Sequence, residues 1–256
     1  EEKTLIDNLT ITSESDLVLT VPSAATVVVS AVQGDAVMKN MDGSLQLTEA
    51  NGDAVLNNIN NLDIRVVHGD FSGRELSGSL TINEIMGDAS LRNIGQASIN
   101  SIFGDCAIKN TEGNVQVQNI MGDFSIRNVH GNINLETGHR DVNLRNLSGL
   151  VQIGHVHGDV RLTGGLIPGK HHVKADGDIV LRWPADAPLH VEATSPKIRN
   201  RLALEDVVEE KGRLTGRIGD GETFLILEAN GRIILKDVQP TNEWEDFDGT
   251  EFDFDF

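Results

Sequence analysis

The chain has 256 residues, of which 39 % are hydrophobic and only 4 % aromatic, and its formal net charge is −18. This charge argues against nucleic acid as a partner, because phosphate binding requires clustered lysine and arginine, and no apolar run of 18 residues marks a membrane-spanning segment. The single cysteine, Cys106, excludes an intrachain disulfide and a cysteine-rich zinc site.

The N-terminal segment, 1–33, has strand character without a clean repeat. The segments 17–21 and 25–31 are rich in Val, Leu and Thr, which favour strands. We expect residues 1–33 to form an N-terminal cap or irregular first coils, because an uncovered coil would leave an exposed sheet edge.

A repeat dominates residues 34–166. Pairs of Gly and Asp recur at steps of 17 or 18 residues, beginning at Gly34, Gly52, Gly69, Gly87, Gly104, Gly122 and Gly158, with Arg140-Asp141 in the same register. A second set of glycines, at Gly43, Gly78, Gly113, Gly131 and Gly149, divides most of these steps into nonapeptides. In the nonapeptide 113–121, Val115 and Val117 alternate with polar residues as in a short strand. Ile120 is apolar again after a polar corner.

This periodicity predicts an all-β, right-handed parallel β-solenoid with 17–18-residue coils and irregular coils at its ends. We expect the glycines to supply corner conformations that other residues resist. Each Asp after a glycine is expected to bond to the amides of its own turn.

Two further columns follow from stacking the coils, which places equivalent residues about 4.8 Å apart. A structural Asn ladder is predicted from Asn40, Asn58, Asn93, Asn110, Asn128 and Asn146, with Glu75 in the same position. One residue earlier lies a basic ladder of Lys39, Arg74, Arg92, Lys109, Arg127 and Arg145, with Asn57 among them. The basic ladder is interpreted either as a solvated edge or as a stripe that holds an acidic partner.

After this region the repeat loosens, and residues 167–240 are predicted to form C-terminal irregular coils of the same domain. Strands are expected at 172–175, 178–182, 189–193, 223–228 and 231–236, and a turn or short helix at 207–212.

The C-terminal segment, 241–256, is an acidic and aromatic tail. It holds seven acids, no base, and four of the eight Phe residues of the chain. As a strand its end would put rings on one face and carboxylates on the other. We expect it to dock on the same chain or a neighbour through Trp244, Phe247, Phe252, Asp253, Phe254, Asp255 and Phe256.

No catalytic, cofactor or metal site is predicted. The chain lacks a Gly-x-Ser-x-Gly elbow, a phosphate-binding glycine loop and a His-Glu-x-x-His motif. His139 and His157 are one coil apart with His130 and His155 nearby, but the same column also holds Asn51, His68, Met86, Phe103 and Met121. We interpret that mixture as a tolerant corner, because a metal site needs three or four convergent ligands.

The unit Gly-Asp-x-x-Leu/Ile-Arg/Lys-Asn, as in residues 87–93 and 122–128, resembles a bacterial family of adhesin-like β-strand-repeat proteins of uncharacterised function. More distantly it resembles the bactofilins, whose solenoids polymerise end to end. The resemblance covers roughly residues 30–240, implies a solenoid, and implies no catalytic residues. The acidic aromatic tail is not part of either pattern.

Together these features favour a structural subunit over an enzyme. The expected function is a homopolymeric filament or surface layer, assembled by end-to-end stacking with the tail docked on a neighbour. The alternative is a monomeric cell-surface adhesin or carbohydrate-binding module. The expected partner is a second copy, or alternatively a surface polysaccharide, without nucleic acid or membrane insertion. The expected location is extracellular or at the cell surface, with the cytoplasm as the alternative.

Overall fold

The computed structural model describes residues 20–238, in which there are twenty strands and no helix. The strands are β1 (Val27–Val29), β2 (Ala36–Ala50), β3 (Ala54–Val67), β4 (Phe71–Ile85), β5 (Ala89–Ile102), β6 (Cys106–Thr111), β7 (Val115–Ile120), β8 (Phe124–Val129), β9 (Ile133–Gly138), β10 (Val142–Leu147), β11 (Val151–Val156), β12 (Val160–Thr163), β13 (Gly169–Ala175), β14 (Ile179–Trp183), β15 (Leu189–Thr194), β16 (Lys197–Asn200), β17 (Glu205–Glu210), β18 (Arg213–Ile218), β19 (Thr223–Ala229) and β20 (Arg232–Asp237).

Each regular coil has two sides, and each side points three side chains inward. In β5 the two inward sets, all at most 4 % exposed, are Ala89, Leu91 and Ile94, and then Ala97, Ile99 and Ile102. The first two residues of each set alternate with outward residues, as in any strand, and the third returns inward after a corner. The nonapeptide is therefore the sequence of one side of a coil.

The coils stack in register as parallel strands, about nine of them with about 18 residues each. The second side of β2 pairs with β1, and the long strands β2, β3, β4 and β5 pair successively. Beyond β5 each side becomes a separate strand, so that β6, β8, β10, β12 and β14 stack on one side and β7, β9, β11 and β13 on the other. The predicted parallel β-solenoid is confirmed.

The C-terminal coils do not follow chain order. β19 pairs in parallel with both β13 and β15, and β20 lies between β14 and β16. The coil made of β19 and β20 is thus inserted between two coils that precede it in the chain. β18 then pairs antiparallel with β15, and β17 pairs antiparallel with β18 at the outer edge.

The strands predicted after residue 167 occur as β13, β14, β15, β19 and β20. Of the turn or short helix expected at 207–212, only Lys211 and Gly212 form a turn, because Glu205–Glu210 form the strand β17. All six of its residues are exposed, so the sequence shows no alternation that would have indicated a strand. Residues 1–19 and the tail 241–256 lie outside the described residues.

Candidate functional site

Asn side chains form a column at one corner of the coils, with Glu75 at one position. The backbone there is left-handed, a conformation that Asn tolerates better than most residues. Each Asn Nδ2 donates to the side-chain oxygen on the preceding coil at 2.5 to 3.1 Å. The residues with this conformation, at φ of 53° to 62°, are Asn40, Asn58, Glu75, Asn93, Asn110, Asn128 and Asn146.

The aspartates after the repeat glycines form a second column, and here the structure corrects the expectation that each bonds to its own turn. Oδ1 of each aspartate accepts a hydrogen bond from the backbone N–H of the equivalent residue on the next coil, at 2.7 to 3.1 Å. We call this set the Asp column: Asp35, Asp53, Asp70, Asp88, Asp105, Asp123, Asp141, Asp159 and Asp178.

The repeat glycines serve close packing, which is also different from the expectation. None of those that precede the Asp column has a positive φ. A Cβ on Gly122, however, would overlap Asp105 Oδ1 and the carbonyl of Gly104 on the preceding coil. The left-handed corner belongs to the Asn column, and the glycines let one coil approach the next.

Arg232 ends the Asp column. Its backbone N–H donates to Asp178 Oδ1 at 2.7 Å, and its Nε and Nη2 donate to Asp178 Oδ2 at 2.9 and 2.6 Å. These hydrogen bonds from Arg232 hold the pKa of Asp178 below its usual value, because they stabilise the carboxylate. The inserted coil therefore supplies the cation that closes the column.

The predicted basic ladder lies on consecutive coils in one register, on the outer surface of the side formed by β6, β8 and β10. Lys39, Asn57, Arg74, Arg92, Lys109, Arg127 and Arg145 are successive Cα partners. The same register continues through Thr163 to Arg182 and Lys236, which sequence reasoning missed because the coil spacing changes. Burial, and then the charge of Arg127, lower the pKa of Arg145.

The described part of the chain ends beside this ladder. Lys236 is the last ladder residue, and the N–H of Val238 donates to the carbonyl of Trp183 at 3.0 Å. The predicted tail residues from Trp244 to Phe256 lie outside the described residues.

A third column occupies the corner just before the Asp column. Three of its members are large, exposed and apolar: Met86 at 42 %, Phe103 at 44 % and Met121 at 38 %. Its later members are polar, and the ring centroids of His139 and His157 are 5.1 Å apart.

Two imidazoles and one carboxylate converge at this corner. His155 Nε2 lies 3.0 Å and His157 Nδ1 2.8 Å from the same atom, Asp176 Oδ2. The ligating atoms of the three residues all lie within 4.8 Å of one another. This His-His-Asp cluster is the only such group of three in residues 20–238.

The sequence had drawn attention to His139, His155 and His157, but not to Asp176. Asp176 occupies the position of His157 on the next coil, and the step that separates the two is longer than the regular steps of the repeat. Gly177-Asp178 could have been interpreted as the next Gly-Asp pair of the repeat. Asp176 would then have been aligned with His157, because each immediately precedes such a pair.

Two other reactive side chains are buried and have structural partners. Burial, with the nearby charges of Asp105 and Asp88, raises the pKa of the Cys106 thiol, which disfavours its nucleophilic thiolate. His171 Nδ1 accepts from the N–H of Val151 at 3.1 Å, so its Nε2–H donates to the carbonyl of Ile167 at 2.9 Å. Burial lowers the pKa of His171, which is consistent with a neutral ring in the core.

No helix in residues 20–238 is long and apolar enough to cross a membrane. Comparison with curated proteins and with solved structures gave no significant match. The family model described as Toastrack DUF4097 matches residues 57–231, which is more than half of the chain and includes the Asp column from Asp70 to Asp178, the basic ladder from Asn57 to Arg182 and the His-His-Asp cluster. The chain belongs to the Toastrack DUF4097 family.

Proposed function

We propose that the protein is a non-catalytic structural subunit that assembles side-on, by holding the acidic C-terminal segment of a second copy against its basic ladder. The observation that carries this proposal is the in-register column of cations on consecutive coils, from Lys39 to Arg145 and onward to Lys236. A rigid row of like charges is suited to one long partner of opposite charge more than to a small substrate.

Electrostatics supports an acidic occupant. Neighbouring cations one coil apart repel by about 0.9 kcal/mol at 4.8 Å in water, and by more where solvent is displaced. The lowered pKa of Arg145 reflects burial and the neighbouring charge of Arg127. The row is positive, and residues 241–256 hold seven acids and no base, so the two are complementary in charge.

The surface beside the ladder also suits an extended strand. An open groove runs along the Asn column, lined by Asn93, Asn110, Asn128 and Asn146, with Glu112 and His130 among its other residues. The groove is mainly polar, so charge and hydrogen bonds would hold the tail more than burial of its rings.

Side-on contact is favoured over stacking at the C-terminal end of the rod. The outer strand there, β17, is antiparallel to its neighbour and carries Glu205, Asp206, Glu209 and Glu210. Charged residues on an edge strand oppose pairing with a second edge. A neighbour carrying the same acids at this end would be repelled.

A second candidate is a monomeric binding module whose ladder is covered by its own tail. The ladder from Lys236 to Arg74 spans seven coil steps, about 34 Å, and 18 extended residues reach up to about 60 Å. Tethering also gives the tail of the same chain a high effective concentration. This candidate corresponds to the adhesin alternative, with an acidic surface polysaccharide displacing the tail at the cell surface.

Sedimentation velocity and negative-stain microscopy of the full chain beside a version ending at Pro240 test the proposal. Filaments or growing oligomers from the full chain alone would support tail docking between copies. Monomers from both versions would reject assembly and leave the second candidate. Assembly that is equal in both would reject the role of the tail.

A matched pair of triple variants locates the contact. Arg92→Glu, Lys109→Glu and Arg127→Glu together should abolish assembly of the full chain. The control replaces three exposed basic residues off the ladder, Arg65, Arg199 and Lys211, by Glu and makes the same change in net charge. If both triple variants lose assembly equally, net charge rather than the ladder is responsible.

A further inference from the structure

The His-His-Asp cluster has the composition and geometry of a metal site. We propose that His155 Nε2, His157 Nδ1 and Asp176 Oδ2 bind one divalent transition-metal ion of the Zn²⁺ type. The two ring nitrogens lie 3.0 and 2.8 Å from one carboxylate oxygen, and the three donor atoms all lie within 4.8 Å of one another.

The donor set selects the class of ion. Imidazole nitrogen suits Zn²⁺, Cu²⁺, Ni²⁺ and Co²⁺, whereas Ca²⁺ and Mg²⁺ prefer sites made of oxygen atoms. Open zinc sites have three protein ligands, and water or another group completes the coordination. The cluster supplies three ligands, two through nitrogen and one through oxygen. The cluster is therefore distinguished from the carboxylate-only Asp column nearby.

The spacing fits a small ion after a slight adjustment. Donor atoms bound to Zn²⁺ at 2.0 to 2.1 Å in a tetrahedral site lie about 3.3 Å apart. The two His–Asp distances need to open by a few tenths of an ångström, and the two ring nitrogens, which lie within 4.8 Å of each other, need to reach the same separation. Side-chain rotation can provide both changes on a partly exposed corner.

A neighbouring residue already orients the carboxylate. Asn230 Nδ2 donates to Asp176 Oδ1 at 2.7 Å and leaves Oδ2 directed at the two rings. Such a hydrogen bond to a ligating carboxylate is typical of metal sites.

The cluster is accessible from solvent. The side chains of His155, His157 and Asp176 are 35, 46 and 35 % exposed, so an ion can enter directly. His139, one coil earlier, is not one of the three ligands, because its Nε2 lies 3.1 Å from Asn119 Oδ1. The ion would thus join the coil of β11 to the turn after β13.

Three other His–carboxylate pairs on the surface provide a contrast. His68 lies 3.2 Å from Glu49, His130 3.2 Å from Glu112, and His172 3.5 Å from Glu228. None of these pairs belongs to a group of three donors among residues 20–238. They are matched controls, because they keep a His–carboxylate contact without a third ligand.

Calorimetric titration of the metal-free, untagged full chain with Zn²⁺ tests the proposal. We expect one equivalent to bind with a micromolar dissociation constant, and Co²⁺ in its place to give the visible absorption of a nitrogen- and oxygen-ligated ion. His155→Gln and Asp176→Asn should each weaken binding at least tenfold, the scale of losing part of a metal site. His68→Gln should leave it unchanged.

The result that overturns the proposal is absence of stoichiometric binding, or equal binding by wild type and His155→Gln. Equal loss in His68→Gln would also overturn it, because surface histidines in general would then be the ligands. Circular dichroism of each variant separates lost binding from lost folding, and a chain ending at Pro240 excludes the acidic tail as the binding segment if it retains the site.

Discussion

From β2 to β14 each new coil lies on the one made just before it, whereas after β14 the chain leaves one level open and fills it later. The open level receives β19 and β20, which come after β15 to β18 in the chain but stack directly on β13 and β14. In the first region contacts join residues about 18 apart, and in the second they join residues about 54 apart. Regular stacking follows from a local repeat, whereas closing the rod requires pairing that no repeat specifies.

The two regions also end their hydrogen-bonded columns differently. Within the regular coils each aspartate is followed by another, and each Asn amide by another amide except where Glu75 follows Asn58. In the C-terminal region the Asp column ends on Arg232, and the sheet ends on an antiparallel, acidic strand. Each residue of such a column can bind an identical residue on the next coil. The column therefore ends only where a different residue occupies that position.

The largest effect is expected at the contact between regular coils. Gly122→Ala should destabilise the protein by about 3 kcal/mol, because the new methyl group overlaps backbone atoms of the preceding coil, which cannot move aside. Gly34→Ala is the control, since a Cβ there meets nothing within 4 Å. Equal denaturant midpoints for the two variants would contradict the role given to the glycines.

We expect the ion pair between Asp178 and Arg232, at the end of the Asp column, to stabilise the folded protein at neutral pH and not in acid. Asp178→Asn keeps an oxygen for the N–H of Arg232 but removes the charge, and should lower the free energy of unfolding at pH 7. Because the folded pKa of Asp178 is depressed, its stabilisation is present above the unfolded value of about 3.9 and is lost as pH falls through the folded value. Thermal unfolding of both proteins between pH 7 and pH 3 should therefore converge in acid, and a constant difference would argue against charge as the cause.

A gain of about 1 kcal/mol is expected from repairing the Asn column. Glu75 has a φ of 53° and accepts a hydrogen bond from Asn93, but its carboxylate has no hydrogen to donate to Asn58. Glu75→Asn should add that hydrogen bond and a residue better suited to the left-handed region. Glu136→Asn, on an exposed position of β9, removes the same charge without either gain and should show no stabilisation.

The smallest effect on stability is expected at β17, where the consequence is association. Replacing Glu205, Glu209 and Glu210 by Gln should change the free energy of unfolding by less than about 0.5 kcal/mol. It should also produce concentration-dependent association in sedimentation velocity, because the edge loses its repulsion. Neutralising Asp42, Asp63 and Glu136 changes the net charge equally and should leave the protein dispersed.

The regular coils could be predicted because their information is local and repeated. Alternation at Val115 and Val117 defines a strand, and the recurrence of Asn at each corner defines the register. The inserted coil could not be predicted, since the sequence of β19 alternates like any other strand and does not indicate which neighbours it pairs with. The hydrogen-bond partner of each Asp-column carboxylate could not be predicted for a related reason. An aspartate after a glycine is suited both to a hydrogen bond within its own turn and to one with the next coil. The sequence indicated the two histidines of the His-His-Asp cluster but not Asp176. Asp176 aligns with His157 only once the longer step between their two coils is known.

The Asp column also makes one edge of the rod a polyelectrolyte. Each carboxylate uses Oδ1 for the next coil, so nine negative charges follow one another at about 4.8 Å, roughly a third of the linear charge density of duplex DNA. Among residues 20–238, Arg161 pairs with Asp141 and Arg232 with Asp178, both in the C-terminal part of the column. Dissolved cations should therefore gather along the remaining edge, and moderate salt should strengthen the stack by screening it, opposite to the usual weakening of surface ion pairs. The free energy of unfolding of the solenoid is therefore expected to depend on the concentration of the dissolved cations around it.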